Sequence, residues 1–378
     1  MSSAFAAALG LTDWPFGVIP DPEATLIWAD RGELLNQITR LLRRLTGTQD
    51  SSLHLLWADF GAGKTHTLLY LRQLALSRYA DLIYPVYFTL PKDARSFIDI
   101  YRAALPVITV QKLMDTYSKL PKDSQVFSSA NPFMGDRLQS LSTVFKTLTM
   151  GSDSMKQTAR KWILADQSLS RQELISASLP DRIRNDDDAC YTLSGICRLL
   201  TSRHPRLLIM IDEFQRAGLL RSEIQNKIRG GLHTFFNNCP KRISMILSFK
   251  FGSEKEIHDY LSPELEDRAD SQTIAIPALQ PRDAEEFLRD LIESAHAASS
   301  PSRIDDDVIP AIVKCVSSTG STKPRTLTKT AGLILSEGAM DIIDGLVGAI
   351  DKAYAHKKCE ELMATIIKIS REDEQETA

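Results

Sequence analysis

The sequence predicts an α/β fold in which a parallel β-sheet is flanked by helices, with a helical insertion and an all-α lid at the C-terminus. Residues 207–211 form a continuous apolar run, which is typical of a strand buried on both faces of a parallel sheet. A shorter apolar run at 53–57 ends in a glycine loop that is followed by helical spacing. After Pro281 the pattern is helical to the end of the chain. Strands alternating with helices favour right-handed crossovers between parallel strands.

Residues 1–50 are predicted to form an N-terminal arm and a leading helix. The segment 14–31 contains several prolines, which favours an extended arm. Helical spacing of apolar residues then begins near Arg31 and continues to Leu45.

Residues 51–278 are predicted to form the α/β domain. Pro85 lies in one of its apolar runs and indicates either the first residues of a strand or an edge strand, because proline cannot donate to a central ladder. A helix is predicted over residues 67–76. The candidate strands are residues 53–57, 84–90, 207–211, 243–249 and 273–276.

Two further regions are predicted to be helical. Residues from about 91 to 206 interrupt the α/β pattern as a helical insertion, and residues 279–378 form the lid and the C-terminal helices. The candidate helices are residues 94–105, 137–148, 154–164, 191–202, 285–295, 308–316, 327–335 and 342–369. The acidic triples at 186–188 and 305–307 lack the spaced oxygen ligands of a calcium loop, so we expect helix caps or solvated turns there.

The composition is that of an ordinary folded protein. The chain has 378 residues, of which 43% are hydrophobic and 25% charged, so it can bury a core and form two or three domains. Its formal net charge of -3 is not that of a typical nucleic-acid-binding protein, which presents a basic face.

Cysteine usage and hydropathy predict a cytoplasmic protein without membrane contact. None of the five cysteines forms a Cys-x-x-Cys pair or has zinc spacing, which favours reduced structural thiols. The N-terminus lacks the basic region of a signal peptide. No apolar run approaches the roughly 20 residues that a membrane-spanning helix needs.

The glycine loop after residue 57 has the chemistry of a phosphate-binding loop. Glycines allow a tight turn that aims backbone N–H groups at phosphate oxygens, and the following helix contributes its positive N-terminal end. Lys64 would reach the β- and γ-phosphates, and Thr65 would offer a hydroxyl to Mg²⁺. We include His66 in the candidate site, although its position also fits a polar residue facing the lid or solvent. The candidate nucleotide-binding residues are Gly61, Ala62, Gly63, Lys64, Thr65 and His66.

The alternative to a phosphate loop is a glycine turn with a surface lysine. The usual first glycine of the motif is Ala58 here, which is a mild departure because that position needs a small residue. The position between an apolar run and a helix favours the phosphate loop.

An acidic pair, Asp212-Glu213, follows the continuous apolar run. Ligands of open α/β sheets bind at the carboxyl ends of strands. Asp212 would hold Mg²⁺, and Glu213 would orient and deprotonate an attacking water. Gln215 and Arg216 follow the pair and are more readily explained as a solvated helix start than as a coupling element.

The order of these features resembles that of AAA+ ATPases. In detail it is similar to the branch of origin-recognition initiators, transposition-regulator ATPases and ExeA-type secretion ATPases. The two Walker motifs of P-loop NTPases match residues 60–65 and 207–213. The other matching segments are residues 14–22 with 31–35, which in that branch contact adenine, and residues 263–268, 276–286 and 320–327.

The resemblance implies three further site residues. Ser248 falls at the position of the polar sensor 1, Arg268 at that of the arginine finger, and Arg325 at that of sensor 2. The alternatives are a capped turn for Ser248 and surface salt bridges for the two arginines.

The resemblance also implies a function. We expect an ATPase that uses ATP and Mg²⁺ at the interfaces of a homo-oligomer to remodel or regulate a protein partner, such as a DNA-processing, phage-defence or mobile-element complex. DNA would act directly or through that partner, although too few residues follow Arg325 for a full winged-helix domain. The alternative is a nucleotide-gated switch or scaffold with little turnover.

Overall fold

A computed structural model describes residues 2–17, 28–29, 31–59, 61–121, 123–129, 132–250, 260–269, 273–277, 279–297, 300–320 and 322–375. The chain divides into two compact units. We call them the helical unit, Met1–Ile38, Ala58–Gln73 and Ala275–Ala378, and the sheet unit, Thr39–Trp57 and Leu74–Ile274.

The β-sheet has the strand order β2-β3-β4-β1-β5. Its strands are β1 (Ser52–Ala58), β2 (Ile83–Thr89), β3 (Arg206–Asp212), β4 (Ile243–Lys250) and β5 (Thr273–Ala275). β3 is buried along its whole length and pairs in parallel with β2 and β4, as its continuous apolar run predicted. β2 is an end strand, which explains how it tolerates Pro85.

The register brings the carboxyl ends of the three neighbouring strands to the same level. Thr89 of β2 is opposite Asp212 of β3, and Ile211 is opposite Leu247 of β4. Residues that follow these strands in sequence therefore meet at one edge of the sheet.

Helices of the sheet unit cover the region predicted as an insertion. Within it lie α4 (Phe97–Ile108), α5 (Val110–Ser118), α6 (Pro132–Met150), α7 (Asp153–Ile163), α8 (Arg171–Ser176) and α9 (Asp186–Thr201). Before the insertion the chain forms α3 (Lys64–Arg78). After it the chain forms α10 (Ser222–Asn238) and α11 (Pro263–Ala269). Four of the insertion helices match the prediction, but α5 and α8 were missed because both are short and bury few side chains. The residues 186–188 form the first turn of α9, where Asn185 caps the helix by accepting a hydrogen bond from the Asp188 amide at 2.9 Å.

The insertion helices share one hydrophobic core with the sheet. Tyr101, Phe145 and Trp162 are fully buried in the same cluster as Val86 of β2 and Ile209 of β3. The insertion is thus part of the sheet unit rather than a separate body.

The helical unit has its own hydrophobic core. Its elements are α1 (Ser2–Ala8), the start of α2 (Gly32–Gly47), the part of α3 up to Gln73, α12 (Pro281–Ser294), α13 (Val308–Ser317), α14 (Pro324–Ile343) and α15 (Lys352–Gln375). The predicted helix over 342–369 was wrong at its start, because α14 ends at Ile343 and Gly345 has a φ of +73° that breaks the helix. No helix in the described part of the chain is long and apolar enough to cross a membrane.

Two adjacent glycines of α10 provide a test of packing in the sheet unit. A Cβ added at Gly231 would lie 2.4 Å from the Phe97 Cβ, whereas one added at Gly230 would meet nothing within 4 Å. Gly231→Ala should therefore lower the free energy of unfolding by about 1–3 kcal/mol. Gly230→Ala should raise it by about 0.5–1 kcal/mol, since alanine favours a helix over glycine. Urea denaturation of the two variants checks this, and equal effects would contradict the close contact between α4 and α10.

Candidate functional site

The glycine loop connects β1 to α3 and lies in the helical unit. Gly61 and Gly63 have φ values of +74° and +99°, which side-chain-bearing residues rarely adopt. Phe60, the first residue of the segment 60–65 that matches a Walker motif, lies outside the described residues. Lys64 and Thr65 form the first turn of α3, so the two predicted phosphate and metal ligands start the helix, as a phosphate loop requires.

The Lys64 ammonium is held by the loop itself. It is only 6% exposed and donates hydrogen bonds to the carbonyl oxygens of Ala58 at 2.9 Å and Asp59 at 3.0 Å. A buried cation needs such partners, because leaving water uncompensated is costly. The lysine is thus oriented along the loop rather than out to solvent.

Two arginines from distant segments also contact the loop within the helical unit. The backbone N–H of Arg325 donates to the Gly61 carbonyl at 3.4 Å, and the Arg325 Cβ would lie 3.4 Å from a Cβ added at Gly61. Arg31 Nη1 donates to the Ala62 carbonyl at 2.6 Å. The structure therefore brings Arg325 to the loop, and it adds Arg31, which the sequence analysis placed in the N-terminal segment without a contact to the loop.

His66 belongs to an aromatic group on the first turns of α3. Its ring stacks on Tyr70 with 6.3 Å between centroids and lies 6.0 Å from Trp28, which is 4.8 Å from Tyr70. All three side chains are half-buried. His66 thus packs against aromatic rings instead of facing solvent freely.

Asp212 ends β3 in the sheet unit and is 1% exposed. Its Oδ1 accepts hydrogen bonds from Ser248 Oγ at 2.7 Å and from the Glu213 amide at 2.9 Å, and its Oδ2 accepts one from the Tyr87 hydroxyl at 3.2 Å. Burial and the negative charge of Asp212 raise the pKa of Tyr87 well above its usual range, so that this hydroxyl remains a donor. The structure brings Ser248 to Asp212, but sequence reasoning missed Tyr87.

Glu213 has an uncommon backbone conformation and a half-buried side chain. Its φ of 58° and ψ of 35° lie in the left-handed region, where a non-glycine residue is strained. Its carboxylate accepts a hydrogen bond from Gln215 Nε2 at 3.1 Å and forms an ion pair with Arg216 at 3.4 Å. The carboxylate direction is therefore set by the two residues that follow it in the 3₁₀ turn Phe214–Leu219.

Gln215 and Arg216 are not a solvated helix start. Gln215 is 8% exposed and its Oε1 accepts from the Lys250 amide at 3.2 Å. Arg216 Nη1 donates to the Leu90 carbonyl at 2.7 Å. These contacts connect Glu213 to the ends of β2 and β4.

Arg268 lies exposed on α11 and contacts the end of α10. Its Nη2 donates to Asn237 Oδ1 at 2.8 Å, and its guanidinium lies 5.7 Å from the centroid of the Phe236 ring. Both contacts are within the sheet unit and hold the guanidinium at the surface.

No protein-family model matches this sequence, and no curated protein matches it significantly. Its structure, however, is similar to that of the ORC2 protein of Aeropyrum pernix in ADPNP–ADP complexes, with a TM-score of 0.55 and 13% identity over 92% of this chain and 70% of that one. The ADP form of that protein gives a TM-score of 0.52 and 14% identity over 92% and 72% of the two chains. The ORC1 protein of the same organism, in complex with DNA, gives a TM-score of 0.50 and 13% identity over 92% of this chain and 69% of that one.

The chain has an ORC-like AAA+ fold. The resemblance and the fold class that the sequence predicted are thereby confirmed. At these identities the similarity establishes the fold alone.

Within this AAA+ fold the candidate residues form two groups. The helical unit holds the glycine loop with Lys64, Thr65, His66 and Arg325, and the sheet unit holds Asp212 with Glu213 and Ser248. The roles of these residues remain predictions. The sequence did not assign Tyr87, Gln215 and Arg216 to the site, because their contacts with Asp212, Lys250 and Leu90 join distant segments. Arg31 lies in the matching segment 31–35, but no sequence signal predicts its contact with the Ala62 carbonyl.

Proposed function

We propose that the protein is an ATPase that binds ATP with Mg²⁺ through the glycine loop and hydrolyses it with Asp212 and Glu213. The observation that carries this proposal is the arrangement of the loop: its carbonyls are engaged by Lys64, Arg31 and the Arg325 amide, and its two glycines have positive φ. Such a loop offers N–H groups and an ammonium to an anion.

The donor chemistry fits a nucleotide and a hard cation. The Thr65 hydroxyl and the Asp212 carboxylate are oxygen ligands of the kind that Mg²⁺ takes, and we assign the metal to them. Mg²⁺ would neutralise charge that develops on the phosphates during transfer. In this scheme the Lys64 ammonium exchanges the Ala58 and Asp59 carbonyls for phosphate oxygens, and Arg325 acts as sensor 2.

Glu213 is the proposed general base that orients and deprotonates water. Gln215 and Arg216 fix the direction of its carboxylate, while Ser248 and Tyr87 fix that of Asp212. The same contacts also fit the alternative function, a switch that holds nucleotide and turns over slowly, because they engage the Glu213 carboxylate with residues of its own turn.

We further propose that the protein acts in the cytoplasm as a homo-oligomer that remodels or regulates a protein complex. Arg268 is exposed, as a residue that reaches a neighbouring subunit's site must be, and it would leave its contacts with Asn237 and Phe236 to do so. The ORC1 protein was solved in complex with DNA, which supports contact with DNA, either direct or through the partner.

The first test removes the phosphate clamp. Lys64→Ala should abolish ATP binding, because the loop then offers only neutral N–H groups to a highly charged ligand. Isothermal titration with ATP and Mg²⁺ measures this, with Lys241→Ala at an exposed position as the control. Wild-type affinity in a folded Lys64→Ala protein would contradict the loop's role.

The second test separates binding from chemistry. Glu213→Gln keeps the shape of the side chain and removes the base, so ATP should still bind while hydrolysis falls by about 100-fold or more. Glu223→Gln, on an exposed part of α10, is the matched control. If Glu213→Gln hydrolyses ATP normally, another group activates the water; if the wild type itself barely turns over, the switch is the better description.

The third test concerns Arg268 and subunit interfaces. An arginine that stabilises transition-state charge in a neighbour's site is worth roughly 10³-fold or more in rate. Arg268→Ala should therefore bind ATP normally and hydrolyse it poorly. Mixing Arg268→Ala with Lys64→Ala subunits should restore part of the ATPase activity, since some interfaces then combine an intact loop with an intact arginine.

The mixing experiment requires native mass spectrometry to establish that mixed oligomers form. Mixed assemblies without any recovered activity would contradict action across the interface. A wild-type rate for Arg268→Ala alone would show that this arginine is a surface residue.

A further inference from the structure

Arg31 has a strained backbone directly before α2. Its φ is 57°, in the left-handed region that favours glycine, and its carbonyl accepts the hydrogen bond of the Leu35 amide at 3.0 Å. Arginine at such a position costs free energy that glycine would not. A strained arginine persists only where its other contacts hold it, and here these are the contacts of its side chain.

The Arg31 guanidinium joins two separate segments of the helical unit. Nη1 donates to the Ala62 carbonyl at 2.6 Å, and Nη2 donates to the Pro277 carbonyl at 3.0 Å. Ala62 is in the middle of the glycine loop, and Pro277 lies between β5 and α12. One planar fork with fixed donor directions therefore fixes the distance between the loop and the segment that leads into α12.

The contact to Ala62 is one of several that engage the carbonyls of the described loop residues. The carbonyls of Ala58 and Asp59 accept from Lys64, that of Gly61 from the Arg325 amide, and that of Gly63 from Thr67 through its amide and hydroxyl, at 2.9 and 3.0 Å. Arg31 supplies the donor for Ala62.

The direction of this carbonyl determines where the next amide points. In a trans peptide the C=O and the N–H lie on opposite sides of the C–N bond. Because the Ala62 carbonyl points to Arg31, the Gly63 N–H points away from it, toward the side of the loop that Arg31 does not occupy. In phosphate loops the backbone N–H groups cradle the phosphates that ATP and ADP share.

We propose that Arg31 is a positioning residue of the nucleotide site, which fixes the Ala62–Gly63 peptide for phosphate binding and ties it to the Pro277 segment. The proposal rests on the nucleotide-binding function proposed above. It predicts that loss of the fork weakens ATP and ADP equally, since the Gly63 amide does not distinguish them. It also predicts that a lysine cannot replace the arginine, because one ammonium does not reproduce the fork that spans both carbonyls.

The test uses Arg31→Gly and Arg31→Lys. Glycine adopts a φ of 57° without strain, so Arg31→Gly removes the fork while keeping the start of α2. Arg31→Lys keeps the charge. Arg40→Ala, at an exposed position of the same helix, is the control. Circular dichroism and thermal unfolding establish that each variant is folded.

Titration with ADP and with a non-hydrolysable ATP analogue measures affinity. Both Arg31 variants should bind each nucleotide about 10- to 100-fold more weakly than the wild type, the range expected for loss of one charge-assisted hydrogen bond. Arg40→Ala should bind normally. Full affinity in Arg31→Lys would reduce the role of Arg31 to charge, and a loss for the ATP analogue but not for ADP would place its action at the γ-phosphate; either result overturns the proposal.

Hydrogen exchange of the nucleotide-free protein gives a readout that does not depend on binding. The loop peptide containing residues 61–63 and the peptide containing Pro277 should both exchange faster in Arg31→Gly and Arg31→Lys than in the wild type. Unchanged exchange at the loop would overturn the positioning role even if affinity fell. A wild type that binds neither nucleotide would instead overturn the proposed function, and the two failures are thus distinguishable.

Discussion

The glycine loop between β1 and α3 depends on donors that engage its carbonyl groups from outside. A backbone polar group that leaves water needs a partner, and an N–H group that is used by a carbonyl of the same loop is not available to a ligand. Here Lys64, Arg31 and the Arg325 amide supply these partners. The geometry of the loop is therefore a property of the whole helical unit, since segments from both ends of the chain meet at the loop.

In the sheet unit, a buried carboxylate likewise depends on hydrogen-bond donors from other segments. Asp212 is almost inaccessible, and an isolated carboxylate in that position would be costly without several donors. Parallel pairing of β2, β3 and β4 brings Tyr87 and Ser248 to it because these strands end at one edge. The left-handed turn at Glu213 then directs the second acid toward Gln215 and Arg216, so the two adjacent carboxylates have different partners.

The helices between β2 and β3 contribute to this arrangement through the core they share with the sheet. Their buried aromatic residues pack in one cluster with β2 and β3, and the Leu90 carbonyl, at the start of this region, accepts a hydrogen bond from Arg216. The Arg216 guanidinium thus connects the Leu90 carbonyl, directly after β2, to the Glu213 carboxylate.

Sequence alone determined the fold class, the glycine loop, the acidic pair and most helices, because these signals are local: apolar periodicity, glycines at a tight turn and acids directly after a buried strand. It also limited Pro85 to the first residues of a strand or to an edge strand, since a missing N–H is a property of the residue itself, and the sheet order then decided for the edge. Tertiary structure decided the rest. Arg31 contacts Pro277 across 246 positions of sequence, and Tyr87 reaches Asp212 across 125, so no local pattern predicts either contact. These contacts exist only once folding has brought the distant segments together.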